Sequence, residues 1–155
     1  MLQFSKYQGL GNDFLLIDGR IGSPLSEAWL SATLTPAVVQ RLCDRRFGVG
    51  GDGLILALPP LGEGELRMRI FNADGTEPEM CGNGIRCLAR FLADSDGDEP
   101  GRTWQVETLA GRIVPELRPD GTIPKRAWRR GGSRPMSVPS AGHPAVAPRV
   151  GGHQV

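Results

Sequence analysis

The order of patterns along this chain predicts an α+β domain, an antiparallel sheet wrapped around one central helix. Two observations carry that expectation. Apolar runs of strand length alternate with glycine turns short enough to make hairpins. A single strongly apolar helical pattern, Ile85, Leu88, Ala89 and Leu92, lies between them.

Residues 2–8 and 14–18 read as two strands around the turn Gly9–Asn12. Residues 25–34 fit either a short helix or an ordered loop. Thr35 has the character of an N-cap with Pro36 at the first helical position. Val38, Val39, Leu42 and Cys43 then share one face, and Gly48 is the expected stop. The glycine-rich turn 49–53 feeds an apolar strand over 54–58. Leu66, Met68 and Ile70 alternate with Arg67 and Arg69, as in a strand with one wet face. In the helix that follows, Cys87 and Phe91 widen the apolar surface, so the expected polar strip is narrow, at Arg86, Arg90 and Asp94. A helix apolar on most sides should be buried. Residues 104–108 and 112–117 read as a last hairpin, with Pro115 holding its second strand to an edge or a bulge.

The formal net charge of +1 conceals an asymmetry. Residues 1–123 hold 12 Lys/Arg against 17 Asp/Glu, a net of −5, whereas residues 124–155 hold 6 Lys/Arg and no acid. The first segment is the expected folded domain. The second has five Pro, five Gly and five Arg in 32 residues and no apolar period, which predicts disorder. A nucleic-acid-binding tail is disfavoured because Trp128 is its one aromatic residue. No apolar run approaches the ~20 residues that span a bilayer, and the N-terminus lacks the apolar stretch of a signal peptide. Three cysteines, an odd number, fit a reduced cytoplasmic protein better than a disulfide scaffold.

The chemistry concentrates in Met80-Cys81-Gly82-Asn83-Gly84-Ile85-Arg86. A thiol at the start of a helix lies beside unpaired N–H groups and the positive end of the helix dipole, which favour the thiolate. The same N–H groups can hold a carboxylate. The alternatives are half of a disulfide or a small buried residue at a turn. Two further segments join it, Gly9-Leu10-Gly11-Asn12-Asp13-Phe14 and Asn72-Ala73-Asp74-Gly75. Taken alone, Asn12 could instead be a left-handed turn residue, and Asn72 could close an Asx-turn. Gly50, Gly51 and Gly53 lack the Lys-Ser/Thr ending of a phosphate loop. Cys43 is expected to be inert packing.

These three motifs, in this order and spacing, resemble diaminopimelate epimerase over residues 1–123. The resemblance implies a barrel-like sheet around a buried helix, forming one half of a two-domain, pseudo-symmetric enzyme. It implies a cofactor-independent, two-base reaction interconverting LL- and meso-diaminopimelate. Cys81 would be one acid/base, with Asn12, Asn72, Gly82 and Asn83 binding the substrate; no metal or cofactor is called for. A proline-racemase-like relative would carry His in place of Asn83, and a phenazine-type isomerase a carboxylate in place of Cys81. This chain shows neither change. The second cysteine of the family belongs to its C-terminal domain, whose residues do not follow here. The expectation is therefore an inactive half, its reading frame lost near Ile123, and self-association through the face meant for its twin. A non-catalytic amino-acid-binding remnant, or a fragment complementing a separate C-terminal chain, is the alternative.

Overall fold

A computed structural model of the protein describes residues 2–124 and the backbone of residues 148–149. Six strands and three helices occupy the first segment: β1 (Ser5–Gly9), β2 (Asn12–Asp18), α1 (Glu27–Thr33), α2 (Pro36–Cys43), β3 (Gly53–Leu58), β4 (Leu66–Asn72), α3 (Gly82–Asp96), β5 (Val106–Thr108) and β6 (Gly111–Ile113). A two-residue strand, β7 (Pro148–Arg149), pairs with Lys6 and Tyr7 of β1. The rest of the basic segment expected to be disordered lies outside the described residues.

The strands form one sheet in the order β6-β5-β4-β3-β2-β1-β7. The expected antiparallel sheet is corrected to a mixed one. β2 runs parallel to β3 and β4 parallel to β5, the other neighbours being antiparallel. The reason lies in the connections. α1 and α2 stand between β2 and β3, and α3 stands between β4 and β5. A crossover through a helix returns the chain in the direction it left. Among the described residues no pairing joins β6 to the opposite edge, so the sheet is open.

Both faces of the sheet are covered. Phe14 and Leu16 of β2, Ile55 and Ala57 of β3, and Met68 and Ile70 of β4 pack with α3. The alternate residues Leu15, Ile17, Leu54 and Leu56 pack with Leu30 of α1 and Val39 of α2. Side chains alternate across a strand, so β2 and β3, covered on both faces, read as continuous apolar runs. β4 keeps its arginines half-buried on the second face, where Arg67 pairs with Glu27 and Arg69 with Glu77. The ambiguous segment 25–34 contains a helix, begun by Ser26. α2 ends at Cys43, before the expected Gly48, because Asp44 takes the N–H groups of Arg46 and Phe47 into a turn. α3 lies against the sheet with nine buried residues. Tyr7 Oη donates to Asp94 Oδ2 at 3.0 Å and its ring meets Phe91 edge-on, tying β1 to α3. Among the described residues no helix is long and apolar enough to cross a membrane.

Candidate active site

One end of the sheet gathers the motif residues. Asn12 opens β2, Gly53 opens β3 and Asn72 closes β4; the pairs Phe14–Gly53 and Gly53–Asn72 put these ends side by side. The loop after Asn72 leads to Cys81, the N-cap of α3. Gly84 lets the helix start sit close on the sheet: a Cβ there would stand 2.7 Å from Ile70 Cδ1 and 3.3 Å from Ile55 Cδ1. Asn12, Asn72 and Cys81 are therefore at the same edge of the domain.

Cys81 is a free, half-buried thiol with extended backbone, φ −135° and ψ 122°, and its side chain caps no N–H. Ile85 N–H returns to Cys81 O at 2.9 Å. The N–H groups of Gly82, Asn83 and Gly84 precede that first helical bond and have no partner among the described residues. α3 carries no acid in its first turn, so none of its own side chains neutralises the positive end of its dipole. The other two thiols differ. Cys43 and Cys87 are buried, and burial pushes them up to about 11 and about 12 respectively.

The asparagines divide. Asn83 Nδ2 donates to Asn12 Oδ1 at 2.7 Å, and Asn12 Nδ2 donates to Asp52 Oδ2 at 3.2 Å. Asn12 is not the left-handed residue of its turn. That conformation falls to Leu10, φ 50°, with Gly11 beside it, in a two-residue hairpin loop that requires positive φ at both central positions. Asn72 is exposed and spent locally: its Nδ2 donates to Thr76 Oγ1 at 2.9 Å and its backbone carbonyl accepts from Gly75 N–H. The structure thus brings together Asn12, Asn83 and, at the head of the same helix, Cys81 and Gly82; Asn72 stands at the end of β4, two strands from Asn12, and among the described residues has no bond to any of them.

Two residues central to this geometry escaped sequence reasoning. Asp52 ties the strand ends together. Its carboxylate also accepts from Asp13 N–H and Arg45, and its backbone bonds to Asp13 O and, through its own carbonyl, to Ala73 N–H. The available signal was a charged residue between two glycines, Gly51-Asp52-Gly53. Arg86, placed by pattern on the polar strip of the helix, is 5% exposed, and one of its Nη groups donates to Asn83 Oδ1 at 2.5 Å. Helical spacing assigned a face but not the depth to which that face is covered. Beyond Asp52, Arg45 and then Lys6 hold the Asp13 carboxyl well below the usual carboxylate range. A cavity of about 300 Å³ opens there, lined by Lys6, Tyr7, Gln8, Gly11, Asp13 and Arg45. A larger one, about 650 Å³, involves Arg20 and Asp96 and touches none of the motif residues.

The arrangement can bind an anion at the head of α3, next to a thiol able to exchange a proton, with fixed amides alongside. A family model described as diaminopimelate epimerase matches residues 4–131. The diaminopimelate epimerase of Prochlorococcus marinus is 63% identical over 123 residues, covering 79% of this chain and 40% of that protein. That of a Synechocystis species is 56% identical over 122 residues, covering 79% of this chain and 41% of that protein. The chain therefore spans about two-fifths of the length of these curated relatives. Among solved structures, a hydroxyproline epimerase from Agrobacterium vitis superposes with a TM-score of 0.57 at 18% identity, over 76% of this chain and 37% of that one. At that identity the likeness is one of fold.

Proposed function

The chain belongs to the diaminopimelate epimerase family, a family of isomerases, and on that premise we propose that residues 1–123 form one half of a cofactor-independent, two-base active site for diaminopimelate. The observation that carries the reading is the open head of α3, where a half-buried thiol sits beside unpaired N–H groups and the Asn83–Asn12 pair.

In this reading the substrate's α-carboxylate lies on the N–H groups of Gly82 and Asn83. Donors fixed at that position stabilise the charge that builds up when the α-proton leaves, without reorganising as it does so. Cys81 exchanges that proton from one face. Asn12 holds the substrate through the amide N–H left free by its bond to Asp52, and Asn72 contributes from the end of β4. Inversion needs a second acid/base on the opposite face. The site described here brings up only Cys81, so we assign the second group to the other half of the family's two-domain fold. In that full enzyme the sheet curls into a barrel around α3. The three free cysteines fit a reducing cytoplasm.

The test is an NMR experiment. The purified chain is incubated with LL- and meso-diaminopimelate in D₂O, and α-proton loss and stereochemistry are followed together. The expected result is folded protein without inversion, and inversion with deuterium incorporation once a C-terminal half from a relative is added. Inversion by the chain alone would overturn the assignment of the second acid/base. Absence of any exchange in the reconstituted pair would overturn the reading of Cys81.

A further inference from the structure

Arg86 is a buried cation. It is 5% exposed, its Nε has no hydrogen-bond partner, and among the described residues no carboxylate pairs with it. Burial draws it below its ordinary value, yet a guanidinium stays protonated in proteins. Burying an unpaired charge is costly, so its position calls for an explanation. Among the described residues its side-chain hydrogen-bond partner is Asn83 Oδ1. From there the bonds run in one direction: Arg86 to Asn83, Asn83 to Asn12, and Asn12 to Asp52. A cation begins the series and an anion ends it.

We propose that Arg86 and Asp52 are positioning residues, the charged ends of a relay that fixes the amide planes of Asn83 and Asn12 for an anionic ligand group. A neutral amide can turn over, exchanging its donor and acceptor ends. Here it cannot. Turning Asn83 would set its NH₂ against the Arg86 guanidinium, and turning Asn12 would set its carbonyl against the Asp52 carboxylate. Each amide spends one N–H within the relay and keeps one, because an amide nitrogen has two. The retained N–H groups and the uncapped head of α3 are all donors, so the site selects a carboxylate over an ammonium group. A carboxylate bound there also supplies the negative charge that Arg86 lacks.

This deepens the proposed function by naming what orients its binding groups, but its test needs no substrate. Side-chain NH₂ signals of Asn12 and Asn83 are recorded in ¹⁵N-labelled protein for the parent chain and four variants. Arg86→Gln is expected to shift both pairs, although Asn12 lies 71 positions from Asn83 in sequence. Arg86→Lys, which keeps the charge, is expected to restore part of that shift. Asp52→Ala reads the relay from the other end and should move Asn12 most and Asn83 next. Arg90→Gln, which breaks a half-buried pair with Asp94 one turn along the same helix, should leave both unchanged. A variant that shifts only the adjacent asparagine, or an Arg90→Gln effect as large as that of Arg86→Gln, overturns the relay. If Arg86→Gln does not fold, Asp52→Ala decides alone. Loss of the relay would leave the reading of Cys81 standing, and a failed deuterium exchange would leave the relay standing.

Discussion

α3 and the pair of helices on the opposite face of the sheet are held by different means. α1 and α2 each start on a hydroxyl cap: Ser26 Oγ accepts from Trp29 N–H at 3.2 Å, and Thr35 Oγ1 accepts from Val38 N–H at 3.4 Å. They bury little, Leu30 in one and Val39 and Cys43 in the other. α3 starts on a cysteine that caps nothing, yet buries nine of its residues. In proteins most helical stability comes from packing of the apolar face. A helix packed this deeply does not depend on its first turn, and its free N–H groups are then available to a ligand. Its other end is finished. Gly97 adopts the left-handed conformation that terminates helices, φ 69°, and the acids near it are met by Arg20 and Arg90. The openness is confined to the end that carries Cys81.

The largest expected effect follows from that packing. Leu88 is fully buried between α3 and the sheet. Leu88→Ala should cost about 3.5 kcal/mol, the middle of the roughly 2–5 kcal/mol range for truncating a buried leucine, measured by urea unfolding. Ser26→Ala and Thr35→Ala should each cost about 1 kcal/mol. If Leu88→Ala costs no more than a lost cap, α3 is not held by burial and the contrast between the helices fails.

Thiol chemistry separates the head of α3 from its body. Cys81 and Cys87 are six residues apart on one element, but Cys87 is buried and pushed up to about 12, and Cys43, on α2, to about 11. The thiolate is the reactive species, so at pH 8 a group titrating at about 11 is ionised on the order of one part in a thousand. In folded protein, iodoacetamide should label Cys81 at least about tenfold faster than either of the others, read by peptide mass spectrometry. Comparable labelling of Cys87 would mean that α3 opens readily along its length.

Much of this was legible in the sequence where a local rule applies. Thr35 and Pro36 marked the start of α2, the alternation of Leu66, Met68 and Ile70 marked β4, and Cys81 was placed at the start of the buried helix. Pairing direction was not legible, because it depends on where α1, α2 and α3 return the chain. Nothing local to β2 or β5 records that. The motif spacing named Asn12 and Asn83 but could not show that they bond to each other across 71 residues while Asn72 turns to Thr76. Asp52 was missed for the same reason, since its partner Asn12 opens a different strand. Arg86 has its partner Asn83 one turn back on the same helix, and what the local pattern hid was the depth of its burial.

The smallest expected effect probes the head of α3 directly. Cys81 has extended backbone, φ −135° and ψ 122°, in the same region as Ser26, φ −74° and ψ 150°, and Thr35, φ −67° and ψ 159°. Those two residues use an oxygen to accept an N–H of the following turn; sulfur is a weak acceptor. Cys81→Ser should therefore add the missing cap and raise stability by about 0.5–1 kcal/mol, in the range that caps contribute, read as a higher urea midpoint at unchanged slope. The sign is opposite to that of Ser26→Ala and Thr35→Ala, although all three substitutions act at an N-cap. A neutral or destabilising result would mean that the N–H groups of Asn83 and Gly84 are already satisfied, and the anion site proposed there would lose its donors. A gain would measure the stability this helix forgoes by beginning on a thiol, a trade expected where a position serves chemistry before fold.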